Sequence, residues 1–307
     1  MITKFNSNKF RICAKEALVA SSIYICEAIL GQVDLSGALV KGDKTAVTIV
    51  DHGSQEQALP IIQRAFPEYS INPEEGPASG NDSSTIKIYF DPLDGTSCFL
   101  IGGSTPTVIL AAYDQEKKKV LACATMEPIT GKFFISIAGE GAYLERFDYT
   151  KKEWQGKRKL SVNNTQFGQK LPPHVLLDAT HPFNRMDGKR KILTQEGRRN
   201  LTSSIEKLGA KEANFFTNGG NYALTALGNP TVIGNITTAI GGPFDIAGIL
   251  HVLEAGGAIE CYKIVDETRD LIPIGEDIEA ADITIAANSP ENLFKLKEII
   301  KESVYYK

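Results

Sequence analysis

Histidine and cysteine, which often bind zinc and other transition metals, are scarce in this sequence. Its 307 residues include 4 histidines and 5 cysteines, and no two cysteines form a Cys-x-x-Cys pair. An odd number of widely spread cysteines is typical of reduced thiols in a cytosolic protein. The sequence therefore argues against a disulfide framework and against a zinc site, and it predicts a cytoplasmic location.

Long apolar runs are also missing. No stretch approaches the roughly 18 unbroken apolar residues that a membrane-spanning helix needs. The apolar stretch near the N-terminus is interrupted by residues such as Lys15, Glu16 and Glu27. An amphipathic helix is therefore predicted there rather than a signal peptide, and no membrane partner is expected.

The sequence has no P-loop. That motif requires Gly-x-x-x-x-Gly-Lys, and the three Gly-Lys pairs at 131–132, 156–157 and 188–189 have no glycine five residues before theirs. P-loop kinases and P-loop nucleotidases are thereby excluded. The net charge of -4 argues against nucleic acid as the main partner. No obligate protein partner is evident.

The composition, with 42% hydrophobic and 23% charged residues, is that of a folded globular protein. Helical spacing of apolar residues predicts a helix over about 7–30, and another is expected from about residue 54, with Pro60 as a kink or boundary. Residues 72–84 are predicted to be a loop, and residues 144–165 are mainly polar. Strands are predicted at 47–50, 86–91, 106–113, 120–126 and 132–137, the last three forming an antiparallel meander.

The second half alternates between the two kinds of element. Strands are predicted at 174–178, 214–217, 231–236, 258–262 and 283–287, and helices at 188–208, 222–227, 245–255 and 290–303. Such alternation is typical of an α/β layer. We therefore expect two domains, an α+β domain over 1–168 and an α/β domain over 169–307.

Acidic residues occur at four places where a strand end, a turn or a helix start would expose them. These are Asp51, the Glu74-Glu75 pair, the segment Asp91-Pro-Leu-Asp94-Gly95-Thr96, and Asp245 after Pro243. Each of these acidic features alone has a common structural explanation, because Asp-Pro-x-Asp-Gly is often a simple turn and a lone Asp is often a helix cap. Together they form a set of hard oxygen ligands without His or Cys, which selects Mg²⁺, Mn²⁺ or Ca²⁺ over zinc.

These motifs resemble the inositol monophosphatase superfamily, a group of magnesium-dependent, lithium-sensitive phosphatases. The resemblance runs from about Asp43 to Gly257 and includes Asp245 within Pro-Phe-Asp-Ile-Ala. It implies a layered αβαβα fold of two domains. The segments Ala46–Asp51 and Thr96–Gly102, with the pair Thr180-His181, are most similar to the 3′(2′),5′-bisphosphate nucleotidase branch. Phe244 and Tyr222 depart from that branch, which usually has Trp and Lys there.

The resemblance also implies the roles of the site residues. Asp91 would bridge two Mg²⁺ ions, with a third, looser ion near Glu75, and Mn²⁺ could substitute. Asp51 and Thr96 would hold and deprotonate the attacking water, and Gly95 and Thr96 would contact the phosphate through their N–H groups. The metal ligands would be Glu75, Asp91, the Leu93 carbonyl, Asp94 and Asp245, and the substrate contacts Gly95, Thr96, Thr180, His181 and Gly220.

Several functions remain open at this stage. The first is removal of the 3′-phosphate of 3′-phosphoadenosine 5′-phosphate, together with the 1-phosphate of inositol 1,4-bisphosphate. The alternatives within the superfamily are a dedicated inositol polyphosphate 1-phosphatase, an inositol monophosphatase and a fructose 1,6-bisphosphatase. An alternative of another class is a catalytically inactive protein that binds phosphate ligands.

Overall fold

The computed structural model describes residues 5–31, 39–40, 46–103, 106–178, 195–214, 217–238, 240–265 and 270–303. In this part of the chain the helices are α1 Ser7–Ile29, α2 Ile49–Ala65, α3 Thr96–Leu100, α4 Gln195–Lys207, α5 Asn218–Ala226, α6 Pro243–Ile246, α7 Ile249–Glu254 and α8 Pro290–Ser303. The strands are β1 Leu39–Val40, β2 Ala46–Val47, β3 Ser70–Pro73, β4 Ser79–Gly80, β5 Ile86–Asp94, β6 Thr107–Asp114, β7 Lys119–Glu127, β8 Lys132–Ile137, β9 Gly141–Asp148, β10 Glu153–Lys159, β11 His174–Asp178, β12 Lys211–Ala213, β13 Val232–Thr237, β14 Ala258–Ile264, β15 Leu271–Pro273 and β16 Ile283–Ala287.

Two large sheets form the framework. The first has eight strands in the order β10-β9-β8-β7-β6-β5-β3-β4, all antiparallel except the parallel pair β3–β5. The second has six strands in the order β12-β11-β13-β16-β14-β15, with β11 parallel to both of its neighbours. The predicted antiparallel meander of β6, β7 and β8 is confirmed.

Helices cover both faces of each sheet, which gives five alternating layers. The first apolar cluster joins α1 and α2 to one face of the first sheet, for example through Phe10, Ile62 and Phe133. The second places α5, α6 and α7 between the sheets, and a third packs α4 and α8 on the outer face of the second sheet. Every residue of β6 is buried, as expected of a strand covered on both faces. The predicted αβαβα fold is confirmed.

Two boundaries near the acidic residues differ from the prediction. Helix α2 begins at Ile49, so Asp51 lies in its first turn rather than at a strand end, because Thr48 and Asp51 form a capping box. Strand β5 continues past Pro92 to Asp94, because a bulge between Asp91 and Asp94 lets Asp94 pair with Thr107. Pro60 lies inside α2 and does not end it.

Other differences follow from weak periodicity. The predicted loop 72–84 contains the end of β3 and all of β4. The polar stretch 144–165 contains β10, an edge strand in which no residue is more than partly buried. The single helix predicted over 245–255 is two helices, interrupted at Ala247-Gly248. Helix α5 begins four residues earlier than predicted, and the strand expected at 214–217 is found at Lys211–Ala213.

The closing helix α8 and strand β16 have the predicted bounds. Residues 188–194 of the predicted fourth helix lie outside the described residues. The division into domains at residue 168 stays a prediction. Within the described part of the chain, no helix is both long and apolar enough to cross a membrane.

Candidate metal and phosphate site

Three carboxylates from the two halves of the chain meet between the first sheet and the middle helices. Asp91 and Asp94 come from the end of β5, and Asp245 comes from α6. Each contributes a carboxylate oxygen that lies within 4.8 Å of the other two, and all three residues are buried. The structure therefore brings together three of the predicted metal ligands, although Asp245 lies 151 positions after Asp94 in the sequence.

Asp94 is held by a dense set of donors. Its Oδ2 accepts hydrogen bonds from the hydroxyls of Thr107 (2.6 Å) and Thr217, and from the backbone N–H of Gly219 (2.8 Å). Its Oδ1 accepts the N–H of Asn218 at 3.0 Å. Asp94 thus caps the N-terminus of α5, where the helix dipole favours a negative charge.

Asp245 and Asp91 are oriented by their own local backbone. Asp245 Oδ2 accepts the N–H groups of Gly241 (2.5 Å) and Gly242 (2.9 Å), which fixes it at the start of α6. A Cβ on Gly241 would lie 3.2 Å from that oxygen, so the glycine permits the close approach. Asp91 Oδ1 accepts the N–H of Leu93 at 2.9 Å.

Burial of these carboxylates raises the pKa of each. Desolvation is the main cause for Asp91, Asp94 and Asp245, and the neighbouring carboxylates add to it for Asp91 and Asp245. The pKa of Asp245 rises to about 8. No described lysine or arginine makes an ion pair with any of the three.

A second acidic group lies at the other end of this region. Asp51, Glu74 and Glu75 each offer a carboxylate oxygen within 4.8 Å of the other two. Asp51 and Glu75 are buried, whereas Glu74 is partly exposed. Glu74 and Glu75 follow β3, where the ladder to β5 ends with a bond from the Glu74 N–H to the Phe90 carbonyl (2.8 Å).

Asp51 and Thr96 form a hydroxyl–carboxylate pair. Thr96 Oγ1 lies 2.9 Å from Asp51 Oδ1 and 3.1 Å from the Leu93 carbonyl oxygen. The other oxygen of Asp51 accepts the N–H and the hydroxyl of Thr48, both at 2.7 Å. Desolvation raises the pKa of Asp51, and the hydrogen bonds from Thr48 and Thr96 oppose it. A buried carboxylate beside a hydroxyl is a suitable proton acceptor.

Gly95 starts the short helix that carries Thr96. It has φ +89°, in the left-handed region, and it is the N-cap of α3. Gly95 and Thr96 therefore stand at the opening of a helix. Their contact with phosphate stays a prediction.

The remaining predicted substrate contacts are Gly220, Thr180 and His181. Gly220 lies in the first turn of α5, where its N–H donates to Thr217 Oγ1 (3.4 Å). Tyr222 is fully buried in the middle layer, and its hydroxyl donates to Thr237 Oγ1 (3.2 Å). Thr180 and His181 lie outside the described residues.

The structure also shows residues that the sequence reasoning missed. Thr48, Thr107 and Thr217 hold Asp51 and Asp94, and Gln55 contacts the backbone of Glu75. The spacing Thr48-x-x-Asp51 is a capping-box signal, and a Thr before Asn-Gly-Gly indicates a helix N-cap. No sequence pattern pointed to Thr107 or Gln55.

The donor set suits a hard divalent cation. The carboxylate oxygens of Asp91, Asp94 and Asp245 converge from separate segments and are buried, and no described lysine or arginine offsets the charge of their ionised forms. Several buried carboxylates at this spacing are costly unless protons or cations neutralise them. The residues present therefore fit Mg²⁺ or Mn²⁺.

The five-layer arrangement, with acidic clusters between the first sheet and the middle helices, defines a sugar-phosphatase-like fold. The model of the inositol monophosphatase family matches residues 10–302. The chain belongs to the inositol monophosphatase family.

Curated relatives match this chain over various lengths. A protein named Nus factor SuhB from Haemophilus influenzae is 32% identical over 43% of this chain and 48% of its own length. A fructose-1,6-bisphosphatase/inositol-1-monophosphatase from Aquifex aeolicus is 30% identical over 45% of this chain and 51% of its own. The chain thus spans about half the length of these two relatives. A Nus factor SuhB from Pseudomonas aeruginosa is 27% identical over 75% of this chain and 78% of its own length.

Solved structures share the fold over nearly the whole chain. An extragenic suppressor protein SuhB from Bartonella henselae has a TM-score of 0.74 at 20% identity, covering 95% of this chain and 98% of that one. An inositol monophosphatase from Thermotoga maritima has a TM-score of 0.69 at 19% identity, covering 96% and 99%. At these identities the similarity establishes the fold alone.

Proposed function

We propose that this protein is a Mg²⁺-dependent phosphatase that hydrolyses small phosphate monoesters. The observation that carries the proposal is the pairing of two carboxylate clusters with the Thr96–Asp51 hydroxyl–carboxylate pair in one region. Carboxylate clusters alone fit a binding protein. A buried proton acceptor beside them supplies what hydrolysis needs in addition.

Asp51 and Thr96 act on the attacking water. The hydroxyl of Thr96 donates a hydrogen bond to Asp51 Oδ1. The lone pairs of Thr96 Oγ1 can therefore accept a proton from the attacking water. Asp51 then takes the Thr96 proton, and its raised pKa suits that role. Thr48 keeps the carboxylate in place through two hydrogen bonds.

Glu75, Asp91, the Leu93 carbonyl, Asp94 and Asp245 would hold the cations. When bound, divalent cations neutralise phosphate charge and make water more acidic. The N–H groups at the start of α3 would orient the phosphate, with Gly95 allowing close approach. Mn²⁺ would substitute for Mg²⁺, because both accept oxygen ligands. Lithium inhibition is part of the proposal, since the superfamily that the motifs resemble is lithium-sensitive.

Two kinds of substrate have support. The segments around Asp51 and Thr96 favour 3′-phosphoadenosine 5′-phosphate and inositol 1,4-bisphosphate. The name of the Aquifex aeolicus relative favours inositol 1-phosphate and fructose 1,6-bisphosphate. The buried Tyr222, where the nucleotidase branch usually has Lys, removes one contact that would favour the nucleotide.

A panel of these four substrates at fixed Mg²⁺ tests the proposal. We expect phosphate release from at least one, abolished by EDTA, with 3′-phosphoadenosine 5′-phosphate hydrolysed to AMP. Hydrolysis of an inositol phosphate without the nucleotide would reject the nucleotidase assignment. Binding of all four without any release of phosphate would favour the inactive phosphate-binding protein.

A further inference from the structure

Helix α2 carries Asp51, and the same face of this helix contacts the two other segments that carry acidic residues in the first half of the chain. Asp51 accepts a hydrogen bond from Thr96, and Ser54 Oγ donates to the Pro92 carbonyl at 2.7 Å. Gln55, the next residue, contacts Glu75. Positions 51, 54 and 55 share a helix face, because residues three and four apart are neighbours on a helix.

Gln55 makes two hydrogen bonds with the backbone of Glu75, one as a donor and one as an acceptor. Its Nε2 donates to the Glu75 carbonyl, and its Oε1 accepts the Glu75 N–H at 3.2 Å. Gln55 is 9% exposed and Glu75 is 8% exposed, so water competes little for these groups. The side-chain amide thus satisfies both polar groups of one residue, as a neighbouring strand does in a sheet.

The hydrogen bonds between Gln55 and Glu75 occur at the point where the pairing of β3 with β5 ends. The last ladder bond of the β3 segment runs from the Glu74 N–H to the Phe90 carbonyl. At Gly76 the chain turns away with φ +93°. Glu75 lies between these two points, so a side chain has to supply the backbone partners that a strand no longer provides. The orientation of the Glu75 peptide sets the direction in which its carboxylate leaves the backbone.

We propose that Gln55 is a positioning residue that aims the Glu75 carboxylate at a divalent cation held between Glu75 and its acidic neighbours. The inference rests on the proposed function, which makes Glu75 a metal ligand. It goes further by assigning the alignment of that ligand to one amide on α2.

The test is a titration of the metal-free protein with Mn²⁺ alone, followed by electron paramagnetic resonance. Gln55→Met removes both hydrogen bonds and keeps the length of the side chain. Gln63→Met on the same helix is the matched control, since Gln63 is exposed and bonds only to the Ser79 hydroxyl among the described contacts (3.1 Å). We expect Q55M to weaken the affinity of one class of Mn²⁺ site about five- to tenfold, the factor expected from one net hydrogen bond. Q63M should bind as the wild type does.

A second readout separates positioning from damage to the fold. Activity against Mg²⁺ concentration should give Q55M a higher half-saturating concentration, with kcat at saturating Mg²⁺ within about twofold of the wild type. If Q55M does not fold, Gln55→Asn keeps the amide on a shorter stem and should show a weakening of the same kind. Unchanged Mn²⁺ affinity in a folded Gln55 variant, or an equal loss in Q63M, would overturn the inference. A wild type that binds no Mn²⁺ would instead overturn the proposed function.

Discussion

The carboxylate of Asp94 caps a helix that begins 124 residues further along the chain, at Asn218, and its Oδ2 lies 2.8 Å from the backbone nitrogen of Gly219. A metal ligand that also caps a helix has a structural role that is independent of the cation. Asp91, by contrast, accepts only the N–H of Leu93 among the contacts described. The two neighbouring ligands should therefore respond differently to the same substitution.

We predict that Asp94→Asn lowers the free energy of unfolding of the metal-free protein by about 1–3 kcal/mol, because the amide turns donor hydrogens toward N–H and O–H groups. Asp91→Asn should leave that free energy unchanged or higher, because it removes a buried charge that desolvation and its neighbours disfavour. Both variants should lose phosphatase activity. Urea unfolding in EDTA measures the difference, and equal stabilities would contradict the capping role.

Thr96→Val and Asp51→Asn test the proton acceptor pair. Each should lower kcat by roughly 10²–10⁴-fold, the usual contribution of general acid–base catalysis. The double variant should lose little more than either single one, because the two groups act as a unit. Mn²⁺ affinity of Thr96→Val should stay within about twofold, since the hydroxyl is not among the proposed ligands. A double variant whose loss is the product of the single losses would show that the residues act independently.

Much of the fold could be predicted because its elements have clear periods. Strand β16 and helix α8 were predicted to the residue, and the meander from β6 to β8 was predicted within two residues. Edge strand β10 was missed because none of its residues is more than partly buried, so its sequence shows no alternation. The start of α2 was misplaced because the β-branched residues 47–50 are typical of a strand, whereas the cap at Thr48 starts the helix there.

The acidic residues could be predicted as a group, but their supports could not. Asp91 and Asp94 share one motif, and Asp245 was recognised at the start of a predicted helix in the distant half. The resemblance then assigned all three to one metal site. Thr107 and Gln55 reach the site only through tertiary packing, so their sequence neighbourhoods carry no signal. His251 is fully buried between the Thr125 and Ser136 hydroxyls.

His251 gives the protein a predicted sensitivity to acid. Burial lowers the pKa of His251 to about 3, against about 6.5 in an unfolded chain. Between these values the unfolded state binds more protons, so stability is complete above pH 6.5 and falls as the pH decreases. We predict a slope of up to about 1.4 kcal/mol per pH unit from this residue.

Chemical unfolding at pH 5 and at pH 6.5 measures this slope. His251→Gln should be less stable overall, because its core contacts change, yet its stability should depend less on pH in this range. The exposed His52 offers a control, and His52→Gln should keep the wild-type slope. Identical slopes for H251Q and the wild type would show that the ring is not kept neutral in the folded protein.

Without the cations, the stability of the protein should decrease as the pH rises, which is the opposite of the effect of His251. Folding raises the pKa of Asp245 to about 8, from about 3.9 in an unfolded chain. Between these values the folded state binds more protons than the unfolded state, so stability decreases as the pH rises. The contribution of His251 fades above pH 6.5, where the unfolded imidazole loses its proton, so a fall in stability between pH 6.5 and 8 comes from the carboxylates.

We therefore predict that, in EDTA, the Tm falls as the pH rises from 6.5 to 8, and that millimolar Mg²⁺ removes most of this fall. The cation binds the ionised carboxylates, so its stabilising effect should grow with pH as protons leave the site. Asp245→Asn should show a shallower fall in EDTA and a smaller gain from Mg²⁺. Scanning calorimetry at several pH values provides the measurement. A Tm in EDTA that stays level over this interval would mean that the carboxylates are not crowded enough to need a cation.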